Sequence, residues 1–252
     1  MSLRTTLLDT AALLHLQEDW QLEAADSLMA KMTDKTAKFP CIPAVQGHAL
    51  KHFRYGFINL SRCSVEEASG ELASLLHEYG LHSREYGNYT SLVVMIHAEK
   101  AEDGREGVEY YERLFWALLT RATAYDPQPW PESIPDEPSH HLWEFCYGGE
   151  PYFVYCGTPA HKKRRSRHFP YMMLAFTPRW VLRQFNAKAR QAQRTKMLIR
   201  ERLEAYDAVP PHPDLNLYGQ KDNYEWKQYF LGDSTESPNR CPFVRNRKEI
   251  RQ

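Results

Sequence analysis

The densest run of side chains able to do chemistry in this chain is Thr158-Pro159-Ala160-His161-Lys162-Lys163-Arg164-Arg165-Ser166-Arg167-His168. A neutral imidazole at a strand end can ligate haem iron, as a proximal histidine does. Arginines beside it can pair with the two haem propionates through charge-assisted, often bidentate bonds. The plainer reading is a solvated basic loop with a surface histidine. A nucleic-acid patch is a third reading. Few aromatics interleave within the run, however, and no recognised nucleic-acid motif accompanies it.

Other histidines and the cysteines compete for the metal role. His48 and His52 lie four apart, the spacing that places two ligands on one helical face. The residues between them are Ala-Leu-Lys, so the H-E-x-x-H zinc pattern fails. His140 and His141 are adjacent and point apart, and His97 ends an apolar strand. His48 therefore stays open as the alternative to His161. A thiolate can also hold haem iron. Cys41 follows Phe-Pro and Cys241 precedes Pro-Phe, both in defined turns, whereas Cys146 and Cys156 fall on strands where a small buried hydrophobe is the commoner role. Five scattered cysteines make neither a disulfide framework nor a CxxC zinc site. Neither G-x-G-x-x-G nor G-x-x-x-x-G-K-[ST] occurs, which argues against nicotinamide, Rossmann-type flavin and P-loop chemistry.

Periodicity supplies the elements that would position these groups. An N-terminal helix is expected over about 5–32, then a Pro-bounded loop from Phe39 to Ala44 and a strand from Phe53 to Leu60. Ser64-Val65-Glu66-Glu67 reads as a capping box opening a helix with Val65, Ala68, Leu72, Leu75 and Tyr79 on one face. Leu92 to Ala98 is a strand, and Val108 to Leu119 traces an amphipathic helix. Trp143–Tyr147 and Tyr152–Cys156 flank Gly148-Gly149-Glu150-Pro151 as a hairpin with a short loop. Tyr171 to Thr177 is a further strand. One long helix follows Pro178, with Val181, Phe185, Ala189, Ala192, Ile199, Leu203 and Tyr206 on its apolar face, ending before Pro210-Pro211. The remainder, about 208–252, is an irregular wrap. The order implies an α+β domain spanning 1–252, a mixed and largely antiparallel sheet of about five strands packed by about four helices.

The composition suits such a domain: 252 residues, 42% hydrophobic, 25% charged and 13% aromatic. No stretch approaches a membrane span and the N-terminus carries no secretion signal, so no membrane partner and a cytoplasmic location are expected. Net charge is zero but uneven. Residues 1–161 hold 12 Lys and Arg against 23 Asp and Glu, and residues 162–252 hold 20 against 9. Such a basic block meets an anionic partner or the protein's own acidic half.

Several segments together resemble the YqcI/YcgG family. They are Phe39-Pro40-Cys41, Phe53-Arg54-Tyr55-Gly56-Phe57, the run from Trp143 to Phe153, Thr158-Pro159-Ala160-His161, Arg164-Arg165-Ser166-Arg167, Arg202 to Asp207, Trp226 to Leu231, and Cys241-Pro242-Phe243. The resemblance implies a haem-dependent monooxygenase that hydroxylates a nitrogen of an amino-acid-derived amine or guanidine. It further implies haem b, a small amine or guanidino substrate and an external electron donor. On that footing His161, with His48 as alternative, is the expected iron ligand. Arg54, Arg164, Arg165 and Arg167 are expected to meet the propionates, and Glu150 or Glu144 to meet a cationic substrate. A haem sensor or carrier without turnover, and a module binding an anionic partner through 162–202, are the alternatives.

Overall fold

The computed structural model describes residues 6–98, 107–187, 189–216 and 220–245. Five strands form one mixed sheet in the order β1-β2-β5-β4-β3: β1 Arg54–Asn59, β2 Leu92–His97, β3 Phe145–Tyr147, β4 Glu150–Gly157 and β5 Met172–Pro178. β1 and β2 run parallel, and every other neighbouring pair is antiparallel. The expected α+β architecture is the one observed.

Strand alternation sorts side chains onto two faces. On β5, Met172, Leu174 and Phe176 join Leu92, Val94, Tyr152 and Val154 in the larger core. That face is covered by α3 (Val65–His82), α4 (Val108–Ala122) and a C-terminal segment whose four-residue helix, α7 in chain order, is Trp226–Tyr229. The capping box forms as read: the Ser64 side chain accepts from the Glu67 amide, and the Glu67 carboxylate accepts from the Ser64 amide. The opposite face carries Tyr55, Phe57, Val93, Met95 and Met173 in a smaller core against α1 (Asp19–Thr33) and α2 (Ile42–Ala49). α5 (Arg179–Asn186) and α6 (Ala189–Tyr206) follow β5 directly.

Four expectations change. The N-terminal helix starts only at Asp19, after a short 3-10 turn at Ala12–His15, and its expected first residue, Thr5, lies outside the described residues. Leu8 instead exchanges two 2.8 Å backbone hydrogen bonds with Tyr55, pairing the open edge of β1. The Pro-bounded loop runs straight into α2. Pro43 sits in the helix's first turn, where a missing amide hydrogen leaves no intrahelical bond unmade. The single helix after Pro178 is broken at Ala187 into α5 and α6, and in α6 only Ala192 is buried. The hairpin turn is just Gly148-Gly149, both at positive φ (60° and 75°), as a two-residue turn with left-handed residues requires. Glu150 therefore opens β4, paired with Tyr147, and is not a loop residue. Of the C-terminal wrap, residues 217–219 and 246–252 lie outside the description.

Candidate functional site

The basic run forms an interior clamp. His161 is 1% exposed, and both of its ring nitrogens are bonded within the protein. Nε2 lies 2.7 Å from the Leu231 carbonyl, which can only accept, so Nε2 carries the hydrogen and Nδ1 accepts from the Thr158 hydroxyl at 2.7 Å. Burial pulls its pKa down to about 4, against the pull of the Leu231 carbonyl. His161 is thus a satisfied, neutral core histidine, neither a surface residue nor a side chain with a nitrogen to spare for iron.

The arginines follow the same pattern. Arg164 donates to the carbonyls of Gly232 (2.9 Å), Pro210 (3.3 Å) and Ser234 (3.0 Å), with Asp207 at 3.7 Å. The amides of Lys162, Lys163 and Arg164 converge on the Asp233 carboxylate; burial opposes its charge, but the three amides hold it below its ordinary value. Arg167 donates to the carbonyls of Cys156, Tyr229 and Gln228 and stacks 4.4 Å over the Tyr155 ring. Its backbone approaches Gly157 so closely that a Cβ there would lie 3.2 Å from the Arg167 carbonyl oxygen. The expected propionate cluster is therefore dispersed. Arg164 and Arg167 are committed internally, exposed Arg165 lies against Tyr206, and Arg54 lies 3.8 Å over Tyr86 while donating to its neighbour's carbonyl. The basic block is likewise not one surface, because these two arginines and Arg179 are buried while Arg190, Arg194 and Arg200 are exposed.

Glu144 and Glu150 do not converge on a common site. Glu144, fully buried before β3, accepts from Arg179 at 2.5 Å, and its Oε1 has no partner among the described residues. Arg179, the first residue of α5, also donates to both oxygens of buried Glu225. Burial raises the Glu225 carboxyl to about 7, against the attraction of Arg179. This triad was invisible in the sequence, since its members stand 35 and 46 residues apart. Glu150 faces Arg84 at 3.5 Å, and burial raises its pKa. The His48 Nδ1 is buried without a partner among the described residues, and burial lowers its pKa.

A concave apolar site lies elsewhere, on the smaller-core face. Across the sheet, Ser91, Thr177 and Phe153 form one row, with Ser91 and Thr177 hydroxyls 2.7 Å apart, and Val93, Ala175 and Tyr155 form the next. Central β5 thus presents Ala175 and Thr177 beside Met173 here, where its other face presents Leu174 and Phe176. The layer stays open here around a cavity of about 180 Å³ that communicates with solvent. α1 contributes Leu28 and Met32 to its walls, α5 contributes Val181, Leu182 and Phe185, and Cys41 stands at the N-terminus of α2. Cys41 is exposed and lines the cavity. Desolvation by its surroundings raises its thiol pKa, while the Ala44 amide and the Arg167 charge act the other way; the Ala44 contact falls short of a capping hydrogen bond. The lining contains no histidine and no carboxylate among the described residues. The sequence signal for this site was Phe39-Pro40-Cys41, read there as a turn.

The model of the YqcI/YcgG family matches residues 28–244, which takes in both the cavity and the clamp. The chain belongs to the YqcI/YcgG family. It is 47% identical over 226 residues to the uncharacterized protein YqcI of Bacillus subtilis (strain 168), covering 90% of this chain and 88% of that one. It is 45% identical over 225 residues to YcgG of the same strain, also uncharacterized, covering 89% and 88%. A more distant relative is DcsA of Streptomyces lavendulae, provisionally named an N(omega)-hydroxy-L-arginine synthase. It is 29% identical over 231 residues, covering 89% and 84%. No solved structure matches the chain. No helix among the described residues is long and apolar enough to cross a membrane.

Proposed function

We propose that this YqcI/YcgG protein is an oxidoreductase hydroxylating a nitrogen of a small amino-acid-derived amine or guanidine, with haem b in the apolar cavity and electrons from a separate donor. The observation that carries the reading is the similarity, over most of both chains, to DcsA, provisionally named for hydroxylation at an arginine nitrogen. The cavity supports it in kind. Phe39, Phe53, Phe153 and Tyr155 give aromatic walls, Val93 and Met173 an apolar floor, and Cys41 a soft donor. That set suits a flat apolar ring, whose two propionates would have to point out through the open mouth because the lining holds no cationic side chain among the described residues.

Haem, when bound, supplies the activation of oxygen. The chain's own residues set the surroundings. The largely apolar lining favours the uncharged form of an amine, the form with a lone pair to oxidise. Glu144 and Glu150, both facing arginines, stand outside the lining and leave that preference unopposed.

The test is oxygen uptake by the hemin-loaded protein with a chemical reductant, with and without L-arginine and simple amines. Oxygen consumption coupled to a hydroxylated nitrogen product is expected. Stoichiometric haem binding without any amine-dependent uptake would leave a carrier or sensor in its place.

A further inference from the structure

We propose that α6 is a self-association surface, on which two copies of the chain pair their α6 helices antiparallel about a two-fold axis beside Met197 and Leu198. The inference concerns assembly and stands apart from the haem reading above.

Exposure comes first. α6 is held to the body from one side: Ala192 is buried, Tyr206 meets the Phe39 ring edge-on at 6.1 Å, and Arg202 donates to the Phe39 carbonyl. At about 100° per residue, Arg190, Arg194, Met197, Leu198, Glu201 and Glu204 fall on the opposite side of the helix, and all six are exposed. Met197 is 59% and Leu198 48% exposed, two adjacent large hydrophobics at the middle of an otherwise charged stripe. A single exposed hydrophobic is ordinary, whereas an apolar centre with a charged rim is the layout of an interface.

The order of the charges is the second argument. From N- to C-terminus the stripe reads two arginines, two hydrophobics, two glutamates. This order runs against the helix dipole, which favours acids in the first turn and bases in the last, and α6 has neither. Glu204 lies 3.8 Å from Arg200 of its own helix, an exposed contact of little strength. A second copy laid antiparallel answers the whole stripe. Met197 and Leu198 of one copy meet Leu198 and Met197 of the other. Arg194 meets Glu201 of the second copy, Arg190 meets Glu204, and the two-fold axis makes each pairing occur twice. Each helix thereby receives glutamates along its N-terminal half and arginines along its C-terminal half, as the dipole favours. A parallel pair would set like charges face to face, and a purely acidic partner would suit the arginines but repel the glutamates. Two 18-residue helices make a small interface, so the dimer is concentration-dependent and sensitive to salt.

The test is sedimentation velocity on the full chain over a range of concentrations at low and high salt, with thermal melting of each variant to report folding. The variants are Arg190→Glu with Arg194→Glu, whose stripe is all acidic, and Glu201→Arg with Glu204→Arg, whose stripe is all basic. Wild type is expected to dimerise reversibly and more weakly at high salt. Each double variant alone should self-associate at least about tenfold more weakly. An equimolar mixture of the two should dimerise again, since every charge then faces its opposite. A wild type that is monomeric at every concentration would overturn the proposal, as would a dimer that both charge reversals leave unchanged. A mixture that associates no better than its separate components would overturn the antiparallel pairing.

Discussion

The two faces of one sheet are built to opposite ends. β5 turns Met172, Leu174 and Phe176 toward α3 and α4, and the C-terminal segment closes over that side until large residues such as Trp143, Tyr152 and Phe145 are fully buried. The same strand turns Ala175 and Thr177 the other way, and there the layer stays open. Interiors pack as tightly as organic crystals, so Ala175 and Thr177 under aromatic walls leave a shaped absence. The polar run that looks most reactive in sequence is bonded within the protein, His161 and Arg167 to carbonyls of the C-terminal segment, while Cys41 lines the open cavity.

Three variants would sharpen or break this contrast. The largest effect is expected for Arg164→Ala, which strips donors from three carbonyls and leaves buried Asp207 without its ion pair. A loss of about 3–5 kcal/mol in urea unfolding is expected. A loss under about 1 kcal/mol would mean the clamp is an incidental surface contact.

His161 should make the clamp sensitive to acid. Its folded pKa of about 4 lies below the unfolded value of 6.5, so the folded state binds the proton less readily. Its contribution is complete above 6.5 and is lost as pH falls toward 4, an effect of roughly 3 kcal/mol. Glu225, raised to about 7, acts in the opposite sense, weakening the fold as pH rises from 4.5 toward 7. Urea unfolding of wild type and His161→Gln at matched pH cancels that second effect. The stability gap between the two should narrow markedly from pH 7.5 to pH 4.5. A constant gap would show that the imidazole is not held neutral.

The smallest stability change belongs to Ala175→Leu. A longer side chain there enters empty space, so stability should move by less than about 1.5 kcal/mol, while hemin uptake drops. A large destabilisation with hemin binding intact would mean that the space is closed in solution and the ligand sits elsewhere.

Much of the fold was legible because its causes are local. The Ser64–Glu67 box, the alternation of β1, β2 and β5, and the helical period from Val108 each depend on neighbours within a few positions. Where a second local rule intervened, the reading slipped: Pro43 starts a helix as readily as it ends a loop, and Leu8 preferred an open strand edge to helix. The break at Ala187 carries no glycine or proline to announce it, and nothing in the structure explains why the turn falls there.

The site was legible in its parts and illegible in its arrangement. Residue type alone established that His161, the arginines and Cys41 had chemistry to offer, and the Phe-Pro-Cys run marked a rigid turn. Whether a nitrogen is free depended on a carbonyl 70 residues away at Leu231. Whether a thiol meets open space depended on how closely three helices pack over Ala175 and Thr177. Hydrogen-bond satisfaction and packing voids belong to pairs and layers brought together by the chain's path, and only the tertiary structure could decide them.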